Sequence, residues 1–151
     1  MKKTVITLIV ALLMLAACAP AAEQSSDTAA EVALLVTVGE NQQSFSVEDL
    51  QALPSSEATL NGVTYKGITL AALLDATGVN SDEIKAFKAV ATDGYTVNYD
   101  PAQVLKDNVL VAFALADGSP LTTDDGNFRM VLPDEGGKLN LRMLVELQIV
   151  Q

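Results

Sequence analysis

Residues 58–78, ATLNGVTYKGITLAALLDATG, place a strand pair and a helix in one unbroken segment. Asn61-Gly62 joins two β-prone arms, and both residues tolerate positive φ, so the stretch predicts a tight two-residue hairpin. Thr69 then offers its hydroxyl as an N-cap. Leu70, Leu73 and Leu74 recur on one helical face, and Gly78 supplies the left-handed stop. The period of the apolar residues changes from strand to helix within a few positions, which is the mark of short elements packed in layers.

The rest of the chain repeats that grammar. ALLVTVGENQQSFSV predicts a hairpin with a Gly-Glu-Asn-Gln turn and a shorter second arm. Ser46 can cap a short helix running to about Leu53, with Glu48 and Asp49 at its positive end and Pro54 beyond it. KAFKAVATDGYTVNY predicts two strands folded at Asp93-Gly94, with Tyr95 and Tyr99 on one strand face. Asp100-Pro101 opens another short helix. VLVAFALADG and NFRMVLP read as buried strands joined by a turn-rich loop, and MLVELQIV alternates as a last strand. Many short strands with three short helices between them predict an α+β fold with mixed, mostly antiparallel sheets, not a doubly wound parallel one.

The first residues read as an address. Lys2 and Lys3 precede an apolar run from Val5 to Leu15, too short and wrongly flanked to span a membrane, and Leu15-Ala16-Ala17-Cys18 follows. The tetrapeptide resembles the lipobox of bacterial lipoproteins, which implies a signal peptide over 1–17 and diacylglycerol on the Cys18 thiol. Residues 18–32, rich in Ala, Ser and acid, then form a lipidated flexible tether, and the folded domain occupies 33–151. The expected location is the bacterial cell envelope, facing outside the cytoplasm, with the membrane as partner through the lipid.

Composition narrows the chemistry. The chain has nine basic residues; without Lys2 and Lys3, seven remain against nineteen acids, a charge of −12. Such a surface repels nucleic acid and anionic headgroups. There is no histidine, and Cys18 is the one cysteine. Those absences remove Ser-His-Asp and Cys-His catalysis, ordinary zinc and copper sites, thiol redox chemistry and disulfides from the domain. No catalytic residue and no metal ligand set is expected. Asp117, Asp124, Asp125 and Asn127 could offer oxygen to calcium, but they depart from EF-hand spacing, and turn chemistry accounts for them more simply. Asp134-Glu135-Gly136-Gly137 reads as a solvated loop.

The order of motifs carries a resemblance. Tyr65-x-Gly67-x-x-Leu70-x-x-Leu73-Leu74, Gly78, Asp93-Gly94-Tyr95, Asp117-Gly118-x-Pro120-Leu121, Gly126-x-x-Arg129-x-Val131-x-Pro133 and Arg142-x-Leu144-x-x-Leu147 follow one another from about Ser46 to Val150. Together they resemble the molybdopterin-binding domain of sulfite oxidase-type oxidoreductases. The resemblance implies that fold and, in the family's enzymes, molybdenum held by a cysteine thiolate in a long loop ahead of the aromatic-x-Gly motif. Here that stretch is an Asn-Gly turn with no cysteine. Met143 stands where tryptophan is common and Asn127 where proline is.

The fold therefore carries over and the cofactor largely does not; molybdopterin is implied by resemblance alone. Arg129 is a candidate ligand-binding residue, since by resemblance its strand face looks toward the pterin pocket, and pairing with a nearby acid is the other reading. Tyr95, Tyr99 and Tyr65 are candidates for a pocket wall, with Tyr65 expected to meet the other two across the sheet; core packing is their alternative. The expected function is a lipid-anchored binding or accessory domain without its own metal centre, taking a small molecule or an envelope redox partner protein. The alternative is a molybdopterin-dependent oxidoreductase.

Overall fold

The computed structural model describes residues 33–151, so the signal peptide, Cys18 and tether lie outside the described residues. In chain order the elements are β1 (Leu34–Val38), β2 (Asn41–Phe45), α1 (Val47–Gln51), β3 (Ser55–Leu60), β4 (Val63–Thr69), α2 (Leu70–Thr77), β5 (Ala86–Ala91), β6 (Thr96–Tyr99), α3 (Pro101–Val104), β7 (Leu110–Leu115), β8 (Arg129–Val131) and β9 (Leu144–Val150). They build a five-stranded sheet, β2-β1-β9-β5-β6, and a four-stranded sheet, β3-β4-β7-β8. Only β1 and β9 pair in parallel; the other pairs are antiparallel, as the α+β reading requires.

The 58–78 segment folds as its residues dictate. Asn61 and Gly62 take φ of 51° and 82°, closing a ladder in which Leu60 faces Val63. The Thr69 hydroxyl accepts the Ala72 N–H at 3.2 Å, and Gly78, at φ 72°, lets the Val79 N–H reach back to the Leu74 carbonyl. Gly67 is required for a different reason. The register of β4 on β7 shifts between Lys66 and Gly67, and a Cβ at Gly67 would run into the Val111 carbonyl oxygen and lie 2.6 Å from Ala112 Cα.

The main core lies between the sheets. Leu34, Val36, Phe87 and Leu147 of the five-stranded sheet meet Ile68, Val111, Phe113 and Met130 of the other, and Leu50, Leu73 and Leu74 close the layer from the helices. A second, smaller cluster of Ala58, Leu60, Tyr65, Leu110, Ala112 and Val131 occupies the opposite face of the four-stranded sheet. Leu110, Val111, Ala112 and Phe113 of β7 alternate between the two, so this strand is buried on both faces. β3 approaches β8 although the two are not neighbours in the sheet, so the sheet curls around the second cluster.

Several local expectations are corrected. The first turn is Gly39-Glu40, with Val38 opposite Asn41 and arms of equal length, because Gly39 at φ 58° closes the ladder sooner. The polar residues Asn41 and Gln42 are at home on β2, an exposed edge strand. Tyr95 is not on the strand. Asp93 Oδ1 accepts the Tyr95 N–H at 2.9 Å in a turn that delays pairing until Val90–Thr96, which leaves Tyr95 half exposed while Tyr99 is buried. Tyr65 does not meet them across a sheet, because β4 and β6 belong to different sheets.

Candidate functional site

Alternation on β8 turns Arg129 and Val131 to the face opposite Met130, toward the second cluster and Tyr65 on β4. Arg129 Nη1 donates to the Tyr65 hydroxyl at 2.9 Å, and its Cζ lies 4.7 Å from the ring centroid. The same nitrogen donates to Asp125 Oδ1 at 2.6 Å, a charge-assisted bond between two side chains that are 4% and 7% exposed. Asp125 is held from several sides. Thr122 Oγ1 donates to its Oδ2 at 2.9 Å, its N–H reaches the Thr122 carbonyl, and its own carbonyl accepts the Met143 N–H. Arg142, exposed to solvent, brings Nε to 3.5 Å from Asp125 Oδ1. Both arginines of the chain thus converge on one carboxylate oxygen.

Two adjoining depressions reach this network at its arginines. One, of about 280 Å³, is lined by Leu60, Asn61, Arg129, Glu135, Asn140 and Arg142 among others. The larger, of about 490 Å³, is lined by Asp93, Tyr95, Asp124, Lys138, Arg142 and Met143 among others. They share Gly137, Asn140 and Arg142, so the 137–142 segment is the wall between them. Tyr95 and Met143 are two of the large apolar side chains left exposed, and both line the larger depression.

That wall is fixed by two residues. Asn140 is buried; its Oδ1 accepts the Leu132 N–H at 2.6 Å, and its Nδ2 is shared among the carbonyls of Leu132, Glu135 and Gly136. This is why β8 ends at Val131 rather than continuing through Pro133: the next N–H is taken by a side chain. Tyr99 donates its hydroxyl to the Leu139 carbonyl at 2.7 Å, and burial pushes its phenol well above the ordinary range, so it stays a neutral donor.

The structure therefore divides the four candidates. Arg129 and Tyr65 touch, Tyr95 lines the larger depression, and Tyr99 anchors the wall from behind. Sequence reasoning did not single out Asn140 or Arg142 as site residues. Arg142 carried a usable signal as the second of only two arginines in an acidic chain; Asn140 carried none, because its partners are main-chain groups of a loop. The acidic cluster does not converge. Asp117 Oδ1 accepts from the Ser119 hydroxyl and N–H, which hold its carboxyl below its ordinary 3.8, while Asp125 turns to the arginines. Among the described residues no three His, Cys, Asp or Glu side chains are grouped as metal ligands.

A thiolate-held molybdenum with a phosphate-bearing pterin asks for donors that differ from these. The described residues include no cysteine and no histidine, and β3 and β4 are joined by the two-residue Asn61-Gly62 turn. Arg129 is already bonded to Asp125. The donor set does not fit that group.

Residues 26–151 match the family described as oxidoreductase molybdopterin binding domain. Among solved structures, the chain is similar to the sulfane dehydrogenase SoxCD from Paracoccus pantotrophus, with a TM-score of 0.64 and 23% identity over 78% of this chain and 38% of that one. At that identity the likeness is one of fold, and this chain spans well under half the length of its structural neighbour. No curated protein matches the chain.

Proposed function

The chain belongs to the oxidoreductase molybdopterin-binding domain family, and on that premise we propose that it is a binding or accessory domain with no metal centre of its own, carried outside the cytoplasm by a lipid on Cys18. The observation that carries this reading is a two-residue Asn61-Gly62 turn, in the stretch where the family resemblance would put the ligand loop, in a domain without thiol or imidazole. Molybdenum would have neither its thiolate nor a substitute imidazole, and a pterin phosphate would face the carboxylates of Asp93, Asp124 and Glu135. What the domain keeps is a cleft of mixed charge with an exposed Tyr95 and Met143 on its wall. Such a surface suits a small organic molecule or a contact patch on an envelope redox partner protein.

Elemental analysis of the full-length protein, purified from a host that makes molybdopterin, is expected to show molybdenum far below one per chain, with no sulfite oxidation. Near-stoichiometric metal would instead support the second reading, a molybdopterin-dependent oxidoreductase with an oxygen-ligated centre, which family membership favours. The anchor has its own test. Cys18→Ala is expected to abolish incorporation of labelled palmitate and to leave the precursor uncleaved; label entering the variant would remove the anchor from the proposal.

A further inference from the structure

We propose that Arg129, on the wall of the smaller depression, is an anion site that the chain occupies with its own carboxylate, Asp125. The two arginines approach the same oxygen, Oδ1, at 2.6 Å and 3.5 Å, so two positive charges share one negative charge at the edge of a pocket they both line. A guanidinium as buried as that of Arg129 needs an anion beside it. Asp125 supplies one from a turn fixed independently of the arginines, by Thr122 and by the Met143 N–H on its carbonyl. Gly126, at φ 73°, ends that turn, and a Cβ there would lie 2.9 Å from Met143 Cα. A carboxylate held on such a frame competes with any dissolved anion as an intramolecular ligand, at a high effective concentration. Free phosphate or sulfate is thereby kept from Arg129. The inference stands on the ion network and holds whether or not the chain carries a metal.

The test uses the full-length protein with inorganic phosphate and sulfate, read by calorimetry and by thermal shift against chloride at matched ionic strength. The parent protein is expected to show no saturable binding. Asp125→Asn keeps the side-chain shape and removes the charge, and is expected to bind phosphate about tenfold or more tightly than the parent. The gain should vanish in the double variant Asp125→Asn/Arg129→Met. A parent that binds phosphate as well as Asp125→Asn does, or a folded Asp125→Asn that binds none, overturns the proposal. If Asp125→Asn does not fold in chloride, recovery of the fold by phosphate or formate at equal ionic strength supports the plug, and no recovery overturns it.

Discussion

The two faces of the four-stranded sheet are buried by different means. The inner face meets the five-stranded sheet through Ile68, Val111, Phe113 and Met130, in an apolar layer to which Tyr99 adds a hydroxyl. The outer face has a cluster of six residues and beside it the Arg129–Asp125–Tyr65 network. Apolar contact is additive and non-directional, so the inner face stabilises the fold without defining a site. The outer face adds to its apolar cluster a polar, directional network, and among the described residues no buried side-chain polar atom is left without a partner. A shared sheet can thus be a scaffold on one side and a charged pocket on the other, since successive side chains of one strand point to opposite faces.

The largest expected effect lies in the apolar layer against the inner face, into which Phe87 projects from the five-stranded sheet. Phe87→Ala removes a fully buried ring and should cost about 3–5 kcal/mol in urea unfolding, with the denaturant midpoint falling accordingly. A loss as small as that of a surface substitution would break the contrast between the faces. On the outer face, Arg129→Met leaves Asp125 buried with only Arg142 and Thr122, and should cost about 2–3 kcal/mol. Removing both charges, in Arg129→Met/Asp125→Asn, should cost less than the sum of the single changes by about 1 kcal/mol or more. Strict additivity in that cycle would mean the pair is not coupled. Asn140→Ala strands the Leu132 N–H and should cost about 2 kcal/mol, with amide exchange accelerating at Leu132 before it does in β7.

The smallest effect is a pH dependence that belongs to neither face. Ser46 lowers the Asp49 carboxyl, chiefly through its backbone N–H, and Ser119 lowers that of Asp117, both below the ordinary 3.8. A folded value below the unfolded one means the stabilisation is fully present above pH 3.8 and is lost as pH falls through the lower, folded value. Both carboxylates are exposed, so the loss should be slight and weaken with added salt. Asp49→Asn/Asp117→Asn should flatten the acid limb of the stability curve; an unchanged limb would mean that these two carboxylates do not contribute to it.

By itself the sequence determined what is encoded within a few residues of itself. Asn61-Gly62, the Thr69 cap with its Gly78 stop, the Asp93 turn and Pro101 at a helix start all depend on groups that cannot separate, so composition and spacing were enough. The division into short antiparallel strands was legible for the same reason, and the motif order carried the family. Even the pairing of Arg129 with an acid was within reach, because Asp125 is four residues away. The tertiary structure decided where distant segments meet. Tyr65 and Arg129 are 64 positions apart and touch only because β4 and β8 both flank β7, while Tyr65 and Tyr99 part because β4 and β6 enter different sheets. Asn140 became a clamp only when the chain after β8 turned its carbonyls inward. No local rule encodes such choices, since strand order is settled by which apolar faces can be buried together, and that is a property of the whole chain.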